Sequence, residues 1–231
     1  MSVKLFGTAA AAALTLGLVG LAAPASAQSD VEVAFNAGVF SDYVFRGFSQ
    51  TDEDPAIQGG VDITAGSFYV GAWASNVDFG DDTDAEVDLY GGYRTEAGGF
   101  ALDVGVVGYL YPGEPDEADY NYVEFKAAAS RAVGPATIGG AVFYSPDFFG
   151  ADEAATYAEV NAAFAPAERW TISGAVGQQW LDVSDDYVTW NVGVAYALTE
   201  NLALDVRYHD TDVDDVTIAE GRVVGALKLA F

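Results

Sequence analysis

Twelve stretches of this chain alternate apolar residues with small or polar ones at a period of two, at roughly 31–46, 56–65, 67–77, 85–95, 99–110, 120–132, 136–145, 154–165, 169–180, 187–198, 201–209 and 219–231. In "GGFALDVGVVGYL", Phe100, Leu102, Val104, Val106 and Leu110 share one parity, and Ala101, Asp103, Gly105 and Tyr109 share the other. Successive side chains of a β-strand point to opposite faces, so each stretch reads as a strand with one apolar face. Pro55, Pro112, Pro115, Pro135, Pro146 and Pro166 all fall between the stretches or at their edges. Proline cannot donate to a ladder, so this placement is what a sheet requires.

The connections alternate as well. Those at 65–66, 96–98, 133–135, 166–168 and 199–200 are short, whereas 47–55, 78–84, 111–119, 146–153, 181–186 and 210–218 are longer. With Glu220, the longer set carries 22 of the 35 acidic residues and no Lys or Arg. One end of the molecule is therefore short-turned and the other long-looped and acidic. A soluble sandwich gives no reason for this asymmetry. Strands of about ten residues in even number, with short turns at one end, predict a closed antiparallel up-and-down transmembrane β-barrel of about twelve strands. Closure also removes the hydrophobic edges that an open sheet would expose. The last stretch ends on an aromatic, Phe231, in the manner of outer-membrane barrels.

The opening segment agrees. Residues 1–27 carry Lys4, an apolar run, Pro24 and an Ala25-Ser26-Ala27 exit, which reads as a cleaved signal peptide. Residues 28–231 are then the barrel, exported to the bacterial outer membrane. No later stretch is continuously apolar over a helical span. Cysteine is absent, so the fold alone must hold an exported chain. Setting Lys4 aside, eight basic residues face 35 acidic ones, which excludes nucleic acid as a partner. Hydrophobic residues make up 51%, so this is not a charged, disordered chain.

With the apolar parity against lipid, the other parity lines the lumen. The candidate pore-lining residues are Asp42, Arg46, Gln58, Asp62, Glu86, Asp88 and Asp103 on the N-terminal half. On the C-terminal half they are Glu124, Lys126, Glu159, Asp205, Arg207, His209 and Arg222. Opposite charges in one low-dielectric enclosure are expected to pair. Small residues such as Gly38, Gly60, Gly105, Gly139, Gly177 and Gly193 fall on the same parity and predict a narrow water-filled passage; the alternative is that they relieve curvature and salt bridges plug the lumen. In "YVFRGFSQTDEDP", Tyr43 and Phe45 are expected in a lipid-facing girdle, with Arg46 inward at the mouth above Asp42 on the same face. None of the longer connections is expected to fold inward as a substantial plug.

Enzyme readings find little. A barrel hydrolase needs a serine with a histidine base in reach. His209 is the one histidine, it lies on the lumenal parity, and no GxSxG occurs. "DTDVDD" at 210–215 lacks the calcium-hand pattern: the sixth position is Asp215 rather than Gly, and the twelfth is Gly221 rather than Glu. No catalytic residue, metal site or cofactor is assigned.

The stretches "SDYVFRGFSQTDEDPAIQGGVDI", "FYVGAWASNVDF" and "EVDLYGGY" resemble the TorF-type family of porins over about residues 41–93. The matching positions are Tyr43, Phe45, Arg46, Gly47, Ser49, Gln50, Pro55, Gly59, Tyr69, Gly71, Trp73, Ser75, Asn76, Glu86 and Tyr90. The resemblance implies an outer-membrane location and a pore. Residues and resemblance together predict a porin-like channel for passive diffusion of small polar solutes, with cations preferred. The alternative is a non-conducting structural or adhesive barrel, and a barrel hydrolase is third. The expected partners are outer-membrane lipid and lipopolysaccharide, small polar or cationic solutes, and loosely bound divalent cations at the acidic loops.

Overall fold

The computed structural model describes residues 31–151 and 153–231. The expected leader, residues 1–27, lies outside the described residues, as does Asp152. The chain leaves the first wall strand, β1 (Val31–Phe40), and forms a small hairpin of β2 (Val44–Phe45) and β3 (Phe48–Ser49) before returning to the wall. The wall continues with β4 (Ala56–Ala65), β5 (Phe68–Asn76), β6 (Ala85–Ala97), β7 (Phe100–Leu110) and β8 (Tyr122–Val133). It is completed by β9 (Ala136–Ser145), β10 (Ala155–Ala167), β11 (Trp170–Leu181), β12 (Tyr187–Ala197), β13 (Leu202–Thr211) and β14 (Arg222–Ala230).

These twelve wall strands form one closed barrel in which each pairs with its sequence neighbours and β1 pairs with β14. Closure runs through Asn36–Phe40 against Ala226–Ala230. Beyond that ladder, Phe35 and Phe231 exchange backbone hydrogen bonds of 2.7 and 2.9 Å, and their rings stack at 5.8 Å. The terminal aromatic thus helps to close the wall. Two-residue turns at the short end place Gly66 and Gly134 at φ 60° and 61°, where a side chain would be strained.

The outer surface is apolar. Ile57, Val160 and Val223 are 71%, 63% and 65% exposed, and Val33, Val70, Leu89, Phe125 and Val192 are exposed with them. Exposed apolar residues on every wall strand would be costly in water and are the natural contact for acyl chains. Phe68, Phe100 and Trp170 each open a strand just after a short turn, and all three are exposed. They mark an aromatic belt at that end. No helix among the described residues is long and apolar enough to cross a membrane. The closed barrel with its apolar exterior has the form that crosses a membrane with strands.

Three expectations need correction. The first alternating stretch, 31–46, is wall only as far as Phe40; residues 42–51 fold into the lumen, against the expectation that no longer connection would do so, and 52–55 are exposed on the way back to the wall. Period-two alternation persists through Tyr43 and Phe45 because a hairpin facing a packed interior has the same pattern as a wall strand. β10 runs through Pro166, where its register with β11 shifts between Phe164 and Ala167. A bulge is where a sheet tolerates a proline. The lumenal glycines do not simply widen the passage. Tyr90 lies over Gly71, Tyr69 over Gly105, Tyr157 over Gly177 and the Arg207 guanidinium over Gly193, each too close for a Cβ.

By the alternation of loop lengths, the long-loop end is expected to face out. An impermeant maleimide applied to intact cells is expected to label Asp82→Cys and to leave Glu200→Cys unlabelled. Labelling of Glu200→Cys alone would invert the barrel.

Candidate pore and its constriction

The inward segment is pinned where it leaves the wall. The Ser41 amide donates to the Gly225 carbonyl at 2.9 Å, and the Gly225 amide returns a bond to the Ser41 hydroxyl at 3.0 Å. Asp42 gathers the two limbs of the segment: Ser49 and Thr51 hydroxyls donate to its Oδ1 at 2.7 and 3.0 Å, and Arg222 reaches Oδ2 at 3.2 Å. At the tip, Phe45 pairs with Phe48 across Arg46-Gly47, whose φ values are 45° and 93°. Two successive positive φ values are the mark of a type I′ turn. Gly47 has a second reason to lack a side chain, because a Cβ there would collide with Thr189 of β12 and Thr211 of β13.

Arg46 spans to the far wall. Its Nη1 and Nη2 donate to Glu124 Oε1 and Oε2 at 2.8 and 2.7 Å, a bidentate pair, and Nη1 also reaches Gln179 Oε1 at 3.0 Å. The guanidinium carbon lies 4.3 Å from the Tyr157 ring centroid, 4.7 Å from that of Phe45 and 5.2 Å from that of Phe143. The Tyr109 hydroxyl donates to Glu124 Oε2 at 3.0 Å. Side-chain exposure is 1% for Arg46 and 2% for Glu124, so the pair is dry. A non-glycine residue at positive φ costs about 1–3 kcal/mol. The charge-assisted bidentate pair and the surrounding rings offset that strain.

The same layer contains a second, unbalanced feature. Tyr43 is buried, stacks edge-on to Trp73 at 5.4 Å, and donates to Glu86 Oε1 at 3.1 Å. Asp88 is fully buried, and neither of its carboxylate oxygens has a hydrogen-bond partner among the described residues. Tyr109, Phe143, Tyr157 and Gln179 complete a ring of buried side chains near the long-loop ends of their strands. The hairpin and this ring together close the lumen at that level.

Toward the short-turn end the lumen is polar and ion-paired. Lys126 and Arg94 meet Asp103 at 2.9 and 3.3 Å, and Tyr69 donates to the same carboxylate at 2.8 Å. Arg207 and Lys228 meet Asp205 at 3.5 and 3.7 Å, while Tyr90 donates to Asp62 at 2.8 Å. Arg207 also donates to Asn191 and Ser173 at 2.6 and 2.7 Å. Tyr157 and Asn161 donate to Glu159 at 3.2 and 2.8 Å. The Arg94 side chain is 39% exposed, so solvent enters from this end. Gln58 is half-buried on β4. His209 is paired in register with Asn191 and Arg222, neither of which is a nucleophile.

All fourteen candidate pore-lining positions therefore belong to the barrel interior or to the segment folded into it. Two placements differ from expectation. Arg46 is not above Asp42 on a strand; it pairs with Glu124, and Asp42 pairs with Arg222. Tyr43 and Phe45 face the lumenal clusters rather than lipid. Trp73, Phe143 and Tyr157 were missed as parts of the constriction. Their inward parity was the available signal, but an aromatic on the polar parity carries no mark of which partner it meets.

The chain belongs to the Gcw_chp family. That family, described as bacterial proteins of unknown function, has a model that matches residues 24–229. No curated protein matches the chain. Among solved structures, the barrel is similar to the KdgM porin in complex with disordered oligogalacturonate, at 8% identity and a TM-score of 0.60. That likeness covers 86% of this chain and 98% of the other. It is also similar to an outer-membrane channel from Pseudomonas putida F1, at 9% identity and a TM-score of 0.55, covering 86% and 94% of the two chains. These likenesses establish that this Gcw_chp chain has the barrel fold of outer-membrane porins and channels.

The constriction yields a stability test. Arg46→Ala strands the Glu124 carboxylate in a dry layer and is expected to cost about 3–5 kcal/mol. Arg46→Met with Glu124→Leu should recover most of that loss, and Asp88→Asn should be neutral or stabilising because it replaces a fully buried acid by a neutral side chain of the same shape. The folded, heat-modifiable band on unboiled gels, followed against temperature, reads all three. Equal loss in the single and double variants would show that the pair does not hold the hairpin.

Proposed function

We propose that this barrel is a porin-like channel for passive diffusion of small polar solutes, that it prefers cations, and that its resting state is shut by the Arg46 hairpin. The observation that carries the reading is the nature of the obstruction. The polar half of the lumen is solvent-entered, and it ends at a hairpin held to the wall by noncovalent contacts alone, Arg46 to Glu124 and Gln179, Tyr43 to Glu86 and Asp42 to Arg222. Withdrawal of one short segment would join the two ends. The resemblance to TorF-type porins over residues 41–93 and the porin-type fold support the same reading.

Cation preference rests on charge placement. The longer connections, with Glu220, hold 22 acidic residues and no Lys or Arg, so the outer mouth is negative and concentrates cations. A polyanion such as the oligogalacturonate named with the KdgM porin is a poor cargo for such a mouth. Among the described residues no group of three or more His, Cys, Asp or Glu is arranged to hold a metal ion. Divalent cations would accordingly act by screening the acidic loops beside lipopolysaccharide. The dry layer around Arg46 favours a second reading, a non-conducting structural barrel. A hydrolase would need a nucleophile at His209, and its register neighbours supply none.

Planar-bilayer recordings decide between the readings. The wild type is expected to show low, intermittent conductance, and Arg46→Met with Glu124→Leu a several-fold larger and more persistent one. Reversal potentials under a salt gradient should report cation selectivity in both. Absence of conductance in wild type and variant would leave the structural barrel, and anion selectivity would overturn the charge argument.

A further inference from the structure

Above the hairpin, at the long-loop end, the barrel holds a cup of about 500 Å³ whose lining is mostly aromatic. A volume of this size suits a small organic molecule rather than a lone ion. One side is built from three different loops. Phe79 meets Tyr111, Tyr120 and Phe149 at 5.6, 5.6 and 5.5 Å, and Tyr120 stacks on Phe149 at 4.6 Å. Phe48 of the hairpin and Tyr187 of β12, 5.1 Å apart, also line the cup. Asp52 and Asp78 line it as well, and both are exposed.

We propose that this cup is a binding site for planar organic cations. The rings are not fully spent on holding the loops together: Phe48, Phe79, Tyr120, Phe149 and Tyr187 each remain partly exposed. Flat π faces that border a cavity and carry acid at its rim favour a flat, positively charged guest. Charge selects against the alternatives. The longer connections contain no Lys or Arg, and the one base that lines the cup, Arg46, is neutralised by its bidentate pair with Glu124. An anionic amphiphile, including a lipid A phosphate, would meet only repulsion.

The cup is also held in shape before any guest arrives. Glu114 accepts the Tyr120 amide at 2.5 Å and the side-chain amide of Asn121, which fixes the loop that carries Tyr120. Asp81 accepts the Tyr120 hydroxyl at 2.9 Å and the Thr83 amide at 2.8 Å. Those bonds, Thr83 first, hold the Asp81 carboxyl below the usual carboxylate range, so it stays ionised beside the cup. Preorganised rings lose little on binding. The site requires no open lumen and stands whether or not the barrel conducts.

The test uses the full barrel in phosphatidylcholine nanodiscs and berberine, a planar cation whose emission rises in apolar surroundings, with empty nanodiscs as the reference. Saturable binding is expected, weakened about ten-fold by Phe149→Ala, the scale of one desolvated cation–π contact. Asp52→Asn with Asp78→Asn, on exposed loops that leave the fold intact, should weaken it about three-fold and flatten its dependence on salt. The anionic dye anilinonaphthalene sulfonate should show no saturable component. Binding no greater than to empty nanodiscs would overturn the proposal. So would unchanged affinity in both variants, or tighter binding of the anionic dye.

Discussion

Hydrocarbon offers no hydrogen-bond partners, so each backbone N–H and C=O that crosses it must be paired within the protein. In a sheet that demand is met only by closure, here through Asn36–Phe40 on Ala226–Ala230. Closure then inverts the usual distribution of side chains. The apolar parity turns out to lipid, and polar groups have nowhere to go but a shared interior. Asp103 and Asp205 each end up beside two bases because the enclosure brings charges from different strands within reach at low dielectric.

A twelve-strand barrel encloses more volume than wall side chains fill, yet too little for the wide channel of larger porins. The chain deals with the excess in two ways. Tyr69, Tyr90 and Tyr157 lie flat over glycines on neighbouring strands, and the hairpin occupies the rest of the upper lumen. The hairpin can enter because it is self-paired and needs few wall backbone partners. It stays because Arg46 exchanges a strained φ for two charge-assisted bonds to Glu124. A lysine in that place would deliver a point charge and lose the fork.

Most of the wall was legible in the sequence because lipid on one face and lumen on the other force strict alternation. Loop polarity was legible because acid and base are segregated by end. The hairpin was not. Residues 41–46 alternate as a wall strand would, and what separates the two outcomes is a positive φ at Arg46 and a glycine, Gly47, lodged between Thr189 and Thr211, both far away in sequence. Alternation reports which residues share a face and is silent on what that face meets. For the same reason Arg46 was legible as inward, while its partner Glu124 was not.

The hairpin contributes Phe48 to the aromatic cup and Arg46 to the ion pair beneath it, so the two sites share one segment, which under the proposed channel reading is the part that moves. A guest seated against Phe48 and Tyr187 contacts the hairpin only while it is folded inward. A ligand shifts an equilibrium by its differential affinity for the two states, and here all of that difference favours the inward one. Linkage then makes the effect reciprocal: whatever loosens Arg46 from Glu124 weakens the cup, and whatever fills the cup tightens that ion pair. Under the proposed channel reading, small inorganic cations and planar organic cations have opposite fates at the same acidic mouth. The first are drawn toward the lumen, and the second hold it shut.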